Sequence, residues 1–93
     1  GQVKIEIEQR LNAALAPEHL VVRDDSDQHI GHAGHRPGGE THFSVEVVSQ
    51  RFVGQGRVAR QRLVFAALDE LMREQIHALS ISARAPGEAI GTG

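Results

Sequence analysis

The sequence contains no cysteine, so the chain can form no disulfide and offers no thiol nucleophile. No run of apolar residues approaches the roughly 20 that a membrane-spanning helix requires. The formal net charge of -2 gives no reason to expect general attraction to nucleic acid or anionic lipid. Because the chain has no cysteine, a reducing compartment is the default expectation. The 93 residues suffice for one domain with a single core.

The common catalytic motifs are missing as well. The chain has no Gly-x-Ser-x-Gly nucleophile elbow, no His-Glu-x-x-His zinc motif, no phosphate-binding loop and no dinucleotide fingerprint. The acidic pairs Asp24-Asp25 and Asp69-Glu70 are interpreted as solvated edges. The sequence therefore argues against an enzyme. Aromatic residues are also few, and we expect all three in the core: Phe43, Phe52 and Phe65.

The stretch from residue 40 to 71 organises the predicted fold. It begins as a strand, because Phe43, Val45 and Val47 alternate with polar neighbours, as in half-buried β-structure. The pattern then breaks at a turn that contains Gly54 and Gly56.

A helix is predicted after this turn, from about residue 57 to 73, because its apolar residues cover one broad arc of the helical wheel. A second β pattern follows at residues 76–83. Strand, helix and strand within about 40 residues predict a right-handed crossover between two parallel strands.

An amphipathic helix is predicted near the start of the chain, from about residue 3 to 15, and Pro17 closes it. Its apolar residues recur every fourth position: Val3, Ile7, Leu11 and Leu15. A strand is the alternative, because residues 3–8 also alternate, but the helical pattern continues over four turns and is favoured.

A short strand is predicted at residues 19–24, and residues 28–39 form a glycine-rich loop that we expect to be the most mobile interior segment. The tail from residue 87 to 93 is expected to fray. The whole chain is therefore predicted to be one α+β domain, with a three-stranded mixed sheet and helices on one face.

Histidine is unusually frequent, with six in the chain, and three of them recur every third residue in the loop. These are His29, His32 and His35, and His42 follows at the next strand. Neutral imidazole is a common metal ligand, so the loop could bind a divalent metal or simply be solvated. His77 shares the apolar face of the last strand and stands where that face meets solvent; as a lone histidine it is interpreted as a core-edge residue.

Positive charge is concentrated between residues 51 and 62, where four arginines occur without an intervening acid. Arg60 is expected to reach past the core to the rim of the domain. The candidate surface for phosphates or for an acidic partner consists of Arg57, Arg60, Arg62, Gly54 and Gly56. The alternative is a solvated basic face.

Taken together, these residues resemble the BolA family. The motifs that carry the resemblance are Thr41-His-Phe-x-Val, then Val48-Ser-x-x-Phe-x-Gly54, then Arg60-Gln-Arg-Leu-Val64, and finally Ile76-His-Ala-Leu79. Their spacing covers residues 40 to about 86. The loop with histidines and no cysteine is similar to the histidine-type branch of the family.

The resemblance implies an α-β-β-α-α-β order, similar to class II KH domains. It also implies a partnership with monothiol, CGFS-type glutaredoxins in iron–sulfur cluster handling and iron regulation, in the bacterial cytoplasm or in an organelle matrix after removal of a targeting segment. The family's ligand near the last strand corresponds to His77, and its loop ligand corresponds to His29, with His32 close behind. Related proteins have also been linked to transcriptional control and stress responses.

One position departs from the family pattern, since Gln61 stands where Arg-His-Arg is usual. Gln61 cannot ligate a metal as histidine would, which puts in doubt any role of this position in cluster or partner contact. His77 and the loop do not depend on it.

A [2Fe–2S] cluster needs four ligands, and histidines can replace two of them at one iron. This chain has histidines and no thiolate, so it is expected to hold no cluster alone and to share one with glutaredoxin and glutathione. A nucleic-acid-binding regulator is the alternative, and a zinc-binding loop protein is a third hypothesis. Class II KH domains clamp the backbone with Gly-x-x-Gly, whereas this chain has Gly54-Gln-Gly56.

Overall fold

The computed structural model describes residues 2–25 and 41–88. Within these ranges the chain forms three helices and three strands, with a short 3-10 turn at Gln50–Phe52. In chain order they are α1 (Gln2–Leu15), β1 (His19–Asp24), β2 (His42–Val48), α2 (Arg57–Ala67), α3 (Asp69–Glu74) and β3 (Ala78–Arg84). The α-β-β-α-α-β order implied by the resemblance is confirmed.

The three strands form one mixed sheet with β2 in the centre. β1 runs antiparallel to β2, and Val22 pairs with Val45. β3 runs parallel to β2, and Val45 pairs with Ile81. The prediction of a mixed three-stranded sheet with a parallel pair is confirmed.

The first helix is confirmed, and the alternative strand is wrong. Every fourth residue along it is buried, namely Val3, Ile7, Leu11 and Leu15. The helix ends when the Ala16 amide donates to the Asn12 carbonyl at 3.1 Å and Ala16 takes a positive φ of 42°. Pro17 cannot extend the hydrogen-bond ladder, because it has no amide hydrogen.

The core lies between the helices and one face of the sheet. Alternate residues of β2 supply Phe43, Val45 and Val47, which join buried residues of all three helices in one cluster. The other face of the sheet carries the polar members of the strands, such as Ser44, Ser80 and Ser82, which are exposed or half-buried. No helix in the described part of the chain is long and apolar enough to cross a membrane.

Three details of the predicted core and helices are wrong. The single helix predicted over residues 57–73 is divided at Leu68, whose φ of -108° and ψ of 14° end α2 and begin α3. The last strand begins at Ala78, because residues 75 and 76 still hydrogen-bond to the Leu71 carbonyl. Phe65 is not a core residue, because its side chain is 38% exposed on the outer side of α2.

Two predicted mobile segments fall wholly or partly outside the described residues. The loop at 28–39 lies outside them entirely. Of the tail at 87–93, the structure describes only Gly87 and Glu88, and it gives both a defined place in a turn after β3. The Glu88 amide donates to the Ala85 carbonyl at 3.1 Å.

Candidate functional site

His77 lies in the short connection between α3 and β3. Ile76, immediately before it, is only 3% exposed and anchors the chain in the core. The backbone amides of His77 and Ala78 both donate to the Thr41 carbonyl, at 2.8 and 3.2 Å. The backbone of His77 is therefore fixed to the start of β2, while its side chain is exposed.

The imidazole of His77 forms no hydrogen bond with any residue in the described ranges, and its one ring neighbour there is His42. The two ring centroids lie 6.4 Å apart, with the planes at 72° in an edge-on arrangement. Nδ1 of His42 lies 2.9 Å from the Thr41 hydroxyl. His77 is thus an exposed side chain on a fixed backbone at this end of the sheet, and within the described ranges it is not the hydrogen-bonded core-edge residue that was expected.

The described residues that flank the loop segment lie at the same end of the sheet as His77. Asp24, at the end of β1, pairs with Phe43 near the start of β2, and β2 begins beside β3. The end of β1 and the start of β2 therefore lie at the end of the sheet that carries His77. The predicted ligands His29 and His32 lie outside the described residues, as does His35.

The donors at this edge do not make a complete metal site. Within residues 2–25 and 41–88, no group of three or more His, Asp or Glu side chains is placed to hold a metal ion. The described residues at this end of the sheet offer imidazole nitrogens, and the chain has no cysteine thiolate. A metal cluster bound here by imidazole nitrogens would need further ligands from outside the described residues.

Arg60 differs from the prediction, because its side chain turns inward instead of reaching past the rim. Its Nε donates to the Gln55 carbonyl at 2.8 Å, and its Nη1 donates to the Ala83 carbonyl at 3.2 Å. The guanidinium carbon lies 6.0 Å from the centre of the Phe52 ring. The side chain is only 15% exposed, and these contacts hold it at the end of β3.

The outer edge of this guanidinium binds Glu88 with two parallel hydrogen bonds. Nη1 donates to Oε1 at 2.6 Å and Nη2 donates to Oε2 at 2.8 Å. The Ala85 amide donates to Oε1 at 3.0 Å. The Arg60 hydrogen bonds, with the Ala85 amide adding to them, lower the pKa of Glu88 to about 2, and the same ion pair raises the pKa of Arg60. We call this arrangement the Arg60 clasp.

The other predicted basic residues face solvent. Arg57 and Arg62 are exposed and form no ion pair with the residues that the structure describes, and the same holds for Arg51. Gly54 has a φ of 77°, which only glycine adopts readily, and Gly56 caps the start of α2. A methyl group added at either glycine would meet no atom within 4 Å, so the backbone of this turn is open to approach.

Sequence reasoning missed a polar ladder across the open face of the sheet. Glu46 on β2 lies 2.8 Å from His19 on β1 and 3.5 Å from Arg84 on β3, and Arg84 also donates to Ser82. The His19 hydrogen bond, with Arg84, lowers the pKa of Glu46. The signal in the sequence was the alternation of the strands, which put these residues on one face. Their mutual pairing depended on the register.

The features described so far define a small α+β domain of KH-like order with histidines at one sheet edge. The family model for BolA-like proteins matches residues 11–88. Human "BolA-like protein 1" is 48% identical over 88 residues, which are 95% of this chain and 61% of that protein. The chain belongs to the BolA-like family, and it spans about three fifths of the length of BolA-like protein 1.

Two further relatives show the range of this similarity. "SufE-like protein 1, chloroplastic/mitochondrial" of Arabidopsis thaliana is 40% identical over 92 residues, covering 95% of this chain and 25% of that protein. The solved structure of its BolA domain has a TM-score of 0.82 and 39% identity, and the match covers 96% and 98% of the two chains. The "DNA-binding transcriptional regulator BolA" of Vibrio cholerae is 44% identical over 75 residues, 81% of this chain and 67% of that protein.

Proposed function

We propose that this protein is a non-enzymatic adaptor that shares a [2Fe–2S] cluster with a monothiol, CGFS-type glutaredoxin and glutathione. In this proposal His77 supplies one ligand, and His29 or His32 supplies another. The observation that carries the proposal is the exposed imidazole of His77 on a backbone fixed by two hydrogen bonds to Thr41. A side chain so placed can meet a second molecule without unfolding any element of the domain.

The chain's own contribution is to position nitrogen donors. A neutral imidazole binds iron through a nitrogen lone pair, and a rigid backbone lowers the entropy lost when the ring is held. The cluster itself would supply iron atoms with coordination positions that imidazole can fill. Because the chain has no cysteine, the remaining sulfur ligands must come from glutaredoxin and glutathione. This function belongs to iron–sulfur cluster trafficking or iron regulation, in a bacterial cytoplasm or an organelle matrix.

The proposal is tested by mixing the purified chain with cluster-loaded CGFS glutaredoxin and glutathione and recording visible absorption and circular dichroism. We expect a new histidine-ligated spectrum with the parent chain and its loss with His77→Ala. His19→Ala is the matched control, because His19 is also exposed but pairs with Val48 at the opposite end of β2. The control should keep the parent spectrum.

The two loop candidates are separated in the same assay. We expect one of His29→Ala and His32→Ala to abolish the mixed-cluster spectrum, and the other to leave most of it. An unchanged spectrum with His77→Ala would show that His77 is not a ligand. Equal loss with His19→Ala would show that the effect is not specific to the His77 edge.

A nucleic-acid-binding regulator is the second candidate, and two observations favour it. Arg57 and Arg62 are exposed beside an open glycine turn, and the similar Vibrio protein is named a DNA-binding regulator. Phosphate contacts by arginine give salt-dependent binding without sequence preference. Arg57→Gln with Arg62→Gln should therefore weaken duplex binding and flatten its salt dependence, with the exposed and ion-paired Arg73→Gln as control.

Tight binding that persists at high salt and distinguishes between sequences would favour the regulator over the adaptor. Loss of duplex binding in Arg57→Gln/Arg62→Gln, together with an unchanged mixed-cluster spectrum, would show that the two activities use different surfaces.

A further inference from the structure

The Arg60 clasp has two parts. We call its largely buried hydrogen-bond donors the receptor and the exposed carboxylate that they bind the occupant. The receptor is the guanidinium of Arg60, with a side chain 15% exposed, together with the backbone amide of Ala85, a residue that is 6% exposed. The occupant is the Glu88 carboxylate, on a side chain that is 42% exposed. Glu88 reaches the receptor through a short turn in which Gly87 has a φ of 88°.

The receptor has contacts of its own that do not involve the occupant. Arg60 bonds to the carbonyls of Gln55 and Ala83 and lies over the Phe52 ring, and none of these three contacts involves Glu88. The Ala85 residue is held by burial in the core. If Glu88 moved away, two guanidinium N–H groups and one amide N–H would still converge on the same place.

Such a set of donors has a defined ligand chemistry. The planar guanidinium fork recognises an anion with two adjacent oxygens, and carboxylate and phosphate both fit it. A fixed fork loses little entropy when it binds, so a preformed site is stronger than an arginine on the open surface. Glu88 is the local competitor, because its short tether keeps it at a high effective concentration.

We propose that Arg60 and the Ala85 amide form an oxyanion-binding site, which Glu88 fills from within the chain and which an external carboxylate or phosphate group takes when the 86–88 turn opens. This site is independent of the function proposed above. It lies at the end of β3 opposite to His77, because Ala78 begins the strand and Ala85 follows its last residue. The seven residues of β3, at about 3.3 Å each, separate the two ends by roughly 23 Å.

The test compares anion binding by the parent chain, Glu88→Gln and Glu88→Ala, with inorganic phosphate and acetate as the two probes. Heteronuclear NMR follows the Arg60 side-chain Nε–H signal and the Ala85 amide signal, at an ionic strength held constant with chloride. We expect both signals to shift saturably in the two variants, with an apparent dissociation constant lower than that of the parent by about tenfold or more. The probe with the lower constant identifies the preferred class of ligand.

A matched control distinguishes a built site from any arginine that has lost its partner. Glu70→Gln removes the negative charge opposite Arg10, which bonds to Glu70 at 2.8 Å between the exposed surfaces of α1 and α3. In this variant the side-chain NMR signals of Arg10 should shift only linearly with phosphate concentration, as those of an exposed arginine do. Arg60→Lys combined with Glu88→Ala keeps a positive charge but lacks the fork, and it should lose the saturable response at Ala85.

Spectral dispersion of the amide signals verifies that each variant is folded, and Glu88→Gln is the mildest of them. If both Glu88 variants bind phosphate and acetate no better than the parent does, the clasp is purely structural and the proposal fails. It also fails if the saturable response persists in Arg60→Lys/Glu88→Ala, or if Glu70→Gln creates an equal site at Arg10.

Discussion

Ser49 is a fully buried hydroxyl that connects two distant parts of the chain. Its Oγ donates to the Leu15 carbonyl at 2.6 Å, and it accepts a hydrogen bond from the Arg51 amide at the start of the 3-10 turn. The Leu15 carbonyl is one of the last in α1, so it has no partner in the next helical turn. Ser49 therefore satisfies a helix end and caps a turn at once.

We predict that Ser49→Ala lowers the free energy of unfolding by about 1–3 kcal/mol, because it leaves buried backbone groups without a partner. Chemical denaturation with an unchanged slope would measure this loss. Ser80→Ala is the control, because Ser80 is exposed on the open face of the sheet, and it should change stability by less than about 0.5 kcal/mol. Equal effects of the two substitutions would contradict the role given to Ser49.

The clasp predicts a particular dependence of stability on pH. The pKa of Glu88 falls from its usual 4.5 to about 2 on folding, so the ionised form is favoured by the folded state. The stabilisation is complete above about pH 4.5 and is lost as the pH falls through about 2. The melting temperature of the parent should therefore decline more steeply across this window than that of Glu88→Gln.

Glu46 and other carboxylates also titrate in acid, so the difference between parent and variant isolates Glu88. Scanning calorimetry at several pH values provides the measurement. If the melting temperatures of the parent and of Glu88→Gln fell in parallel as the pH decreased, the clasp would add no acid-sensitive stability.

At the scale of elements, the break at Leu68 decides how the second half of the chain packs. The Leu68 amide is shared between the carbonyls of Val64 and Phe65, as in a tightened last helical turn. Its side chain is fully buried, and so is that of Leu71 in α3. Both leucines therefore contribute to the core on either side of the helix break.

We predict that Leu68→Ala destabilises the domain by about 2–5 kcal/mol, because it removes a fully buried side chain and leaves a cavity. Val58→Ala is the control on the same helical segment, since Val58 is 62% exposed, and its effect should stay within about 0.5 kcal/mol. Denaturant unfolding compares the two. A loss below about 1 kcal/mol for Leu68→Ala would mean that the site collapses without a cavity.

The glycine turn before α2 yields a contrast between two neighbouring positions. Gly54 has a left-handed φ of 77°, so Gly54→Ala should cost about 1 kcal/mol through backbone strain alone. Gly56 has an extended conformation at the N-terminal cap of α2, with open space around its Cα. Gly56→Ser should therefore stabilise the helix by a few tenths of a kcal/mol through a side-chain cap. Thermal melts of the two variants should move in opposite directions.

At the scale of the whole molecule, the stabilising and the proposed ligating residues lie at opposite ends of the sheet. His77 precedes β3 beside the start of β2, whereas Ser49 follows the end of β2, and its amide donates to the Arg84 carbonyl at 3.0 Å. Substitutions at positions without shared partners have independent effects. Substitutions at the His77 end of the sheet and at the Ser49 end should therefore act independently.

We predict a reciprocal result from this separation. His77→Ala should lose the mixed-cluster spectrum while its free energy of unfolding changes by less than about 0.5 kcal/mol, because the side chain is exposed. Ser49→Ala should lose stability but keep the spectrum under conditions in which it is folded. If the two properties fall together in either variant, the ends of the sheet are coupled.

The sequence by itself determined the elements whose pattern is local. The four-residue stripe of α1 and the alternation around Val45 specify which face each element buries, because helix and strand periods are set by neighbouring residues. The same locality explains why His77 could be placed beside the last strand. Its position near solvent could be deduced as well, but the absence of a hydrogen-bond partner for its ring among the described residues could not, because partners depend on how distant parts of the chain pack.

Only the tertiary structure decided the features that join distant residues. Arg60 forms hydrogen bonds with Glu88, which is 28 residues away in the sequence, and Ser49 bonds to Leu15, which is 34 residues away. No local pattern in the sequence could reveal either contact. Leu68 breaks the helix without a glycine or proline, because burial in the shared core outweighs helical continuity there. Periodicity in the sequence indicates which side of a helix or strand is apolar. Hydrogen-bond partners, breaks within a helix and the exposure of single side chains follow from how the elements pack together.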